Sequence, residues 1–384
     1  MHLETIELPS VRIEKRAVRR IDFWLLGAVL LLEMLSLPLI DSATHASGGH
    51  YYVKKQAVLV MASFAMLGLG TFIDYRDMVR LSPWLYAGNL VLLVAVFFVG
   101  KSVMGSTRWI SLGFFDLQPS EIAKLVIILF LARYACTKEE PPETWWDIFS
   151  FYGWTLIPGA LILKQPDLGT TLVLFAISTG MVYFAGAPGK KLVALAVACL
   201  LAATVLLLLH LYAGFPLPLE DYQVDRITSL FNAHKDPLGT GYQVLQSKIA
   251  IGSGTLWGKG LGKGTQNRLD FIPEQHTDFI FSVVGEELGF VKTLAVLGLY
   301  ALLLYRLLLA AISAPDMAGT LVAGGVLSML LFQVLVNMGM TMGIMPVTGV
   351  PLPFLSYGGS ALVVNSFSIG LVLNISWKRH KILF

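Results

Sequence analysis

Short polar segments interrupt an otherwise apolar chain, and their side chains could hold or transfer protons. In PEQHTDF, Asp278 stands directly before a long apolar run, where its carboxylate could act as a base or ligand at a membrane boundary. An aspartate before a helix is also a common N-cap, and both interpretations stay open. In QPSEIAK, Glu121 and Lys124 share one face of a predicted helix. They form either a buried ion pair or a cationic group directed at a phosphate.

Further polar segments add candidates of other chemical types. Arg108 and Trp109 stand together in STRWISLG, a pairing that is also common in interfacial anchors. Asp167 in KQPDLG is equally compatible with a helix N-cap and with a role in a site. Ser356 lies in PLPFLSYGGS, whose Pro and Gly residues break helix geometry. Such backbone is tolerated at membrane depth only where it is buried in protein or lines a cavity, so this segment predicts a cavity.

Two features near Asp278 favour structural roles. Glu286 and Glu287 lie deeper in the same predicted helix, and we expect them to pair between helices with a buried Lys or Arg. The segment GTLWGKGLGKG fails as a phosphate-binding Walker A loop, because Lys259 and Lys263 are each followed by Gly rather than Ser or Thr. A flexible or re-entrant element is the better interpretation.

The composition defines the elements that must position these residues. The chain is 55% hydrophobic and 14% charged, with a mean hydropathy of +0.70, whereas soluble domains are about 25% charged. Continuous apolar runs of about 20 residues predict an all-α polytopic membrane protein rather than a barrel. The net charge of +3 gives no reason to expect a nucleic-acid partner. Cys136 and Cys199 have neither a disulfide framework nor metal-ligand spacing.

The apolar runs predict ten membrane spans in a single domain, residues 1–384. A long loop, 214–277, exceeds a simple connector and could contain short interfacial helices. The predicted spans are 23–40, 57–73, 82–100, 119–135, 149–164, 167–186, 192–213, 279–305, 318–341 and 359–376.

Lys and Arg residues indicate the orientation of the chain. They concentrate in the N-terminal segment, the C-terminal tail and the connections on the same side, which predicts that both termini are cytoplasmic. The opposite short connections hold only Lys54, Lys55, Lys101 and Arg108. All the polar segments above then fall at the outer face. A cavity rimmed there by carboxylates and cations suits an amphiphile with a charged head, such as a polyprenyl-diphosphate-linked sugar.

Five segments carry a family resemblance: STRWISLGFFDLQPSEIAK, QPDLGTTL, DPLGTGYQVLQSKIAIGSG, PEQHTDFIFSVVGEELG and GVPLPFLSYGGSALV. In this order they resemble the SEDS family (shape, elongation, division and sporulation), over nearly all the chain beyond residue 100. The sequence SKIAIGSG followed by GKG, together with the short N- and C-terminal tails, favours the elongation member over the division paralogue.

The resemblance implies a peptidoglycan glycosyltransferase with ten spans in the bacterial cytoplasmic (inner) membrane. Such proteins polymerise lipid II into β-1,4 glycan strands on the outer face. They work with a class B penicillin-binding protein, a transpeptidase, beside membrane lipids and other elongation-complex proteins. The resemblance makes Asp278 the essential catalytic residue. It also attaches importance to Arg108, Trp109, Glu121, Lys124 and Asp167.

The mechanism that follows is an inverting displacement in which Asp278 takes the proton of the acceptor sugar hydroxyl. The diphosphate leaving group needs positive charge, for which the candidates are Lys124, Arg108 and Lys248. A divalent cation, Mg²⁺ or Mn²⁺, held by Glu121, Asp167 or Asp278 could serve instead. The alternatives are a lipid II flippase, a non-catalytic scaffold for wall synthesis, or the division paralogue with the same chemistry at the septum.

Overall fold

The fold is a bundle of long helices, and the computed structural model covers most of the chain. It describes residues 15–17, 21–45, 49–103, 106–111, 113, 116–138, 140–216, 223–224, 226, 239–269, 271–273, 275–378 and 380–382. Most of the loop segment 221–239, for which a short interfacial helix was predicted, lies outside the described residues.

The helices follow the predicted spans in order. The first seven are α1 (Phe23–Ala43), α2 (Gly49–Phe72), α3 (Tyr75–Val99), α4 (Pro119–Cys136), α5 (Trp145–Leu163), α6 (Leu168–Phe184) and α7 (Gly189–Ala213). Two short helices of the long loop come next, α8 (Thr240–Ser253) and α9 (Thr265–Arg268). The last three are α10 (Ile280–Ile312, with a π-helical turn at Val284–Leu288), α11 (Met317–Thr341) and α12 (Gly359–Trp377).

Eight of these helices are long and apolar enough to cross a membrane. The other two predicted spans correspond to α4 and α6. Helix α6 is apolar but has 17 residues, and α4 carries three charged side chains within 18 residues, Glu121, Lys124 and Arg133. Two predicted spans begin several residues too far along the chain, because α2 begins at Gly49 rather than 57 and α3 at Tyr75 rather than 82.

Small strands occur where the sequence predicted only connections. Between α3 and α4, the strands β2 (Lys101–Val103), β3 (Ser106–Ser111) and β4 (Asp116–Leu117) form an antiparallel sheet in that order. Lys101 pairs with Trp109, and Ile110 pairs with Leu117. Near the termini, β1 (Lys15–Ala17) pairs antiparallel with β5 (His380–Ile382). The three-stranded sheet matters for function because it fixes the backbone of Arg108 and Trp109.

Acidic and hydroxyl side chains determine where several helices begin. Asp22 accepts a hydrogen bond from Leu25 N at 3.1 Å, and Asp316 accepts one from Gly319 N at 2.8 Å. Thr144 and Asp147 form a capping box at the start of α5. Each bond satisfies a backbone N–H that the helix itself leaves without a partner.

Helices α11 and α12 lie at the centre of the bundle, and α7 lies at its periphery. Two thirds of the apolar stretch of each central helix is buried (67%), compared with 6% for α7. A buried carboxylate joins α12 to the first two helices, since Glu33 of α1 accepts hydrogen bonds from Ser63 of α2 at 2.8 Å and Ser366 of α12 at 2.7 Å. In hydrocarbon, such bonds hold helices in a fixed rotation.

The close crossing of α2 and α12 gives a prediction about stability. A Cβ on Gly70 would lie 2.6 Å from Phe367 O of α12, whereas a Cβ on Gly68 meets nothing within 4 Å. Gly70→Ala should therefore lower the free energy of unfolding by about 1–3 kcal/mol through overpacking. Gly68→Ala, the matched control in the same helix, should be neutral or stabilising by up to about 1 kcal/mol. Thermal unfolding in detergent measures both, and equal midpoints would contradict the tight crossing.

Candidate active site

One cavity collects most of the predicted site residues at a single end of the bundle. Its volume is about 530 Å³. Its walls come from the start of α2, from β3, from the starts of α4 and α6, and from the loops before α10 and α12. The charged side chains that line it, among the described residues, are Lys55, Arg108, Asp116, Glu121, Asp167, Arg226 and Asp278.

Asp278 lies at the cavity wall in a turn that is held from the loop before α12. Ser356 Oγ donates a hydrogen bond to Thr277 O at 2.6 Å, and Tyr357 N donates one to His276 O at 2.9 Å. The helix that follows begins at Ile280, and no side chain caps it. The N-cap interpretation of Asp278 is therefore wrong, and its half-buried carboxylate faces the cavity.

The same turn is also held from beneath by α11 and α1. Asn337 is fully buried, and its Nδ2 donates to Asp278 O at 2.9 Å and to Val350 O at 2.8 Å. Gln275 Nε2 donates to Ala43 O at 2.8 Å. Three consecutive backbone carbonyl groups, those of residues 276–278, thus accept bonds from separate donors, which fixes where the Asp278 side chain starts.

A glycine lets the backbone of the neighbouring loop approach the carboxylate. Gly349 has a φ of +72°, a backbone conformation that residues other than glycine rarely adopt. A Cβ there would lie 3.3 Å from Asp278 Oδ2 and 3.8 Å from Arg226 Nη1. The loop therefore packs directly against both the carboxylate and the guanidinium group.

Arg108 and Asp167, two of the predicted site residues, form an ion pair in the cavity wall. Arg108 Nη1 lies 3.7 Å from Asp167 Oδ2, and their side chains are 21% and 6% exposed. Asp167 also accepts hydrogen bonds from Thr170 N and Thr170 Oγ1, each at 3.0 Å. Asp167 is thus both the N-cap of α6 and part of the cavity wall. Arg108 Nε donates to Gln165 O at 2.9 Å, and Trp109 lines the wall beside it.

Glu121 and Lys124 form a buried ion pair. Lys124 Nζ lies 2.6 Å from Glu121 Oε2, and the two side chains are 1% and 4% exposed. Glu121 contributes to the cavity wall, whereas Lys124 is not among the lining residues described. Lys124 therefore neutralises the Glu121 carboxylate without itself lining the cavity.

Two predicted substrate-binding residues lie outside the described cavity lining. Lys248 is an exposed residue of α8 that packs against Gly343. Ser356 is 5% exposed, and its hydroxyl accepts from Leu352 N at 2.8 Å while donating to Thr277 O. Ser356 thus joins the loop before α12 to the turn that carries Asp278.

Several lining residues were not singled out from the sequence. Lys55 and Arg226 add cations to the wall and Asp116 adds a carboxylate. In the sequence analysis, Lys55 served only as one of the basic residues that indicate the orientation of the chain. Its place in the cavity wall could not be predicted, because the face of α2 that lines the cavity depends on how the helices pack.

An aromatic group was also missed. The rings of Tyr52, His276 and Tyr357 pack with centroids 5.2 to 5.5 Å apart. Burial raises the pKa of the Tyr357 phenol to about 12. Tyr357 therefore keeps its proton throughout the neutral range and can donate a hydrogen bond.

The three carboxylates considered for a divalent cation do not form a ligand cluster. In the described part of the chain, no three His, Cys, Asp or Glu side chains come together to hold a metal ion. Glu121 is engaged by Lys124, and Asp167 is engaged by the start of α6. These side chains alone therefore do not form a Mg²⁺ or Mn²⁺ site, and a cation shared between one carboxylate and the diphosphate oxygens of a substrate stays a prediction.

The glycine-rich segment is anchored to the π-helical turn of α10. Glu286 Oε1 lies 2.7 Å from Lys259 Nζ and accepts hydrogen bonds from Thr265 N at 2.8 Å and Gln266 N at 3.1 Å. Pairing of Glu286 with a lysine is confirmed, although Lys259 lies in the loop rather than in a helix.

Glu287 anchors the same segment and also joins it to α1. Its carboxylate accepts from Gly262 N at 3.1 Å and from Ser42 Oγ of α1 at 2.5 Å. The partners of Glu287 thus include a hydroxyl group and backbone N–H groups. Both carboxylates thus hold the segment, which was predicted to be a flexible or re-entrant element, against α10.

Comparisons with known proteins agree with this architecture. The family model FTSW_RODA_SPOVE, described as "Cell cycle protein", matches residues 17–381. Peptidoglycan glycosyltransferase MrdB of Escherichia coli K12 is 43% identical over 302 residues, which is 78% of each chain.

Two solved structures resemble the whole fold. A chain of a peptidoglycan synthase complex that coordinates polymerization and crosslinking superposes with a TM-score of 0.76 at 32% identity, covering 92% of this chain and 97% of that one. Rod shape determining protein RodA of Thermus thermophilus gives 0.69 at 31% identity, covering 94% and 97%. The chain belongs to the SEDS family (FtsW, RodA and SpoVE), and it is a multi-pass membrane protein.

The buried ion pair gives a second prediction. Lys124→Met should lower the free energy of unfolding by about 3–5 kcal/mol, because it leaves the Glu121 carboxylate buried without its counter-charge. The double variant Glu121→Gln/Lys124→Met should recover most of that loss. Thermal unfolding of the purified variants measures both effects. A Lys124→Met protein as stable as the unaltered chain would contradict the pairing.

Proposed function

We propose that Asp278 is the general base of this enzyme. The chain is a peptidoglycan glycosyltransferase. One observation carries the assignment of the base: the Asp278 carboxylate faces a cavity of about 530 Å³, while the backbone around it is fixed by hydrogen bonds from Asn337, Ser356 and Tyr357. A base must be held in place to meet a bound hydroxyl group.

The proposed reaction joins two polyprenyl-diphosphate-linked saccharides. The acceptor is the 4-hydroxyl group of GlcNAc in lipid II, and the donor is the anomeric carbon of MurNAc at the end of the growing strand. As the new C–O bond forms, Asp278 takes the hydroxyl proton and the bond from the anomeric carbon to the diphosphate oxygen breaks. Attack from the opposite side turns the α-linked donor into a β-1,4 bond. General-base catalysis of this kind typically contributes about 10²- to 10⁴-fold.

The cavity wall has chemistry that suits a saccharide diphosphate. Trp109, Tyr52 and Tyr357 supply ring faces and edges for sugar rings, and Arg108 supplies a guanidinium group for a phosphate oxygen. Ser356, predicted to bind substrate, instead acts as a positioning residue through Thr277. No step of the reaction is assigned to Lys124 or Lys248.

The membrane setting is part of the proposal. The ten helices α1–α7 and α10–α12 each cross the bilayer, with both termini in the cytoplasm and the cavity at the outer face of the cytoplasmic membrane. The Lys and Arg bias supports this orientation. The apolar tails of the substrates then lie in the bilayer beside the cavity, while the diphosphates and sugars reach Asp278.

The partner is a transpeptidase of the class B penicillin-binding protein type. Support comes from the similar chain that works in a peptidoglycan synthase complex coordinating polymerization and crosslinking. Similarity to a rod shape determining protein supports a role in elongation rather than at the septum. Other elongation-complex proteins would assemble around this pair.

Replacing the proposed base tests the chemistry. Asp278→Asn should abolish glycan polymerisation by the chain purified with its transpeptidase partner and supplied with labelled lipid II in detergent. The carboxamide is similar in size but cannot accept the hydroxyl proton, so the thermal midpoint should stay near that of the unaltered chain. Detergent removes sidedness, so a flippase would yield no polymer from either protein. Equal polymer from both proteins would contradict the role of Asp278.

Asn337 tests whether the fixed turn matters for catalysis. Asn337→Leu removes the donor to Asp278 O and should lower kcat by about 10²-fold, the effect of misplacing a catalytic group by about 1 Å, with little change in KM. Gln333→Leu is the matched control one turn away, because Gln333 is equally buried and has no hydrogen-bond partner among the described residues. Equal losses of kcat in both variants would contradict a specific positioning role for Asn337.

A further inference from the structure

We infer that Lys55 and Arg226, together with Arg108, form the diphosphate-binding site of the cavity. This inference rests on the proposed function, since it names the groups that receive the charged part of the polyprenyl-linked donor. It replaces the sequence-based candidates Lys124 and Lys248 with two cations that sequence reasoning did not select.

The positions of the cationic side chains carry the first step. Lys124 is 1% exposed and engaged with Glu121, and Lys248 is an exposed residue outside the cavity lining. Among the described residues, the cations that line the cavity are Lys55, Arg108 and Arg226. They reach it from three separate parts of the chain, so a bound diphosphate would be contacted from several sides.

Lys55 lies on the face of α2 that forms the cavity wall. Tyr52, Lys55 and Leu59 all line the cavity, and their spacing places them on one side of a helix. The Lys55 side chain is half-buried and forms no ion pair with any residue that the structure describes. Lys54, its neighbour, is exposed and lies outside the lining. One lysine of the pair is thus committed to the cavity.

Arg226 lies beside the proposed base. A Cβ on Gly349 would approach both Asp278 Oδ2 (3.3 Å) and Arg226 Nη1 (3.8 Å). The guanidinium group therefore borders the part of the cavity in which the proposed reaction takes place. Guanidinium groups bind phosphate oxygens through paired N–H donors, which suits this position.

Two of the lining carboxylates have cationic neighbours of their own. Of the four lining carboxylates, Glu121 is neutralised by Lys124, and Asp167 lies 3.7 Å from Arg108. Lys55 and Arg226 add two positive charges to the same wall, where they can attract the negatively charged phosphates. As the sugar–oxygen bond breaks, further charge develops on the departing oxygen, and fixed cations stabilise it.

The test compares Lys55→Gln and Arg226→Gln with the control Lys54→Gln, each purified with the transpeptidase partner. Lys55→Gln and Arg226→Gln should lower kcat/KM for lipid II polymerisation by about 10²- to 10³-fold, the usual effect of removing one donor to a developing anion. Inhibition by undecaprenyl diphosphate should weaken by about tenfold or more in both. Lys54→Gln should have the same kcat/KM as the unaltered chain. Lys55→Arg keeps the positive charge and should therefore retain most of the activity that Lys55→Gln loses.

A binding measurement distinguishes failure of the proposed function from failure of the proposed diphosphate-binding site. Undecaprenyl diphosphate should raise the thermal midpoint of the unaltered chain and of Lys54→Gln, but not that of Lys55→Gln or Arg226→Gln. If the unaltered chain binds in this way yet makes no glycan, the proposed function fails and the diphosphate site stands. If it makes glycan while Lys55→Gln and Arg226→Gln keep normal polymerisation and inhibition, the inference is overturned.

Discussion

The location of Asp278 depends on hydrogen bonds to the backbone carbonyl groups of residues 276–278. Asn337, the Ser356 hydroxyl and the Tyr357 N–H donate these bonds, and all belong to α11 or to the loop that follows it. Carbonyl groups buried in a membrane protein must find donors within the protein. Leaving one without a partner costs about 1–3 kcal/mol. The hydrogen bonds that satisfy this irregular backbone therefore also fix the position of Asp278, the proposed base.

The same constraint divides the charged side chains into two groups. Glu33, Glu286 and the Glu121–Lys124 pair lie inside the bundle, where each has hydrogen-bond or ionic partners that hold neighbouring segments together. The second group lines the cavity, and Glu121, although paired with Lys124, also forms part of that wall. Among the described residues, the wall carries the cations Lys55, Arg108 and Arg226 in the same cavity as Asp278, which suits the proposed reaction with its diphosphate leaving group.

The family motifs identified much of the cavity from sequence. Asp278, Arg108, Trp109, Glu121 and Asp167 come from separate segments and all line it. Lys124 and Ser356 were placed in the same site because they lie at the same depth in the membrane, and Lys248 was a further candidate for the diphosphate, yet all three lie outside the described lining. Depth follows from position along a helix, whereas direction depends on the rotation of that helix.

The sequence by itself determined the class of protein, the order of the long helices and the end of the bundle at which polar chemistry collects. These are local properties, because the length of an apolar run and the position of a charge are both read along the chain. Only the tertiary structure decided that Arg108 meets Asp167, that Ser356 supports Thr277, and that Lys55 rather than Lys54 enters the cavity. Those contacts join residues far apart in sequence or depend on which face of a helix packs inward, and a linear pattern does not encode either.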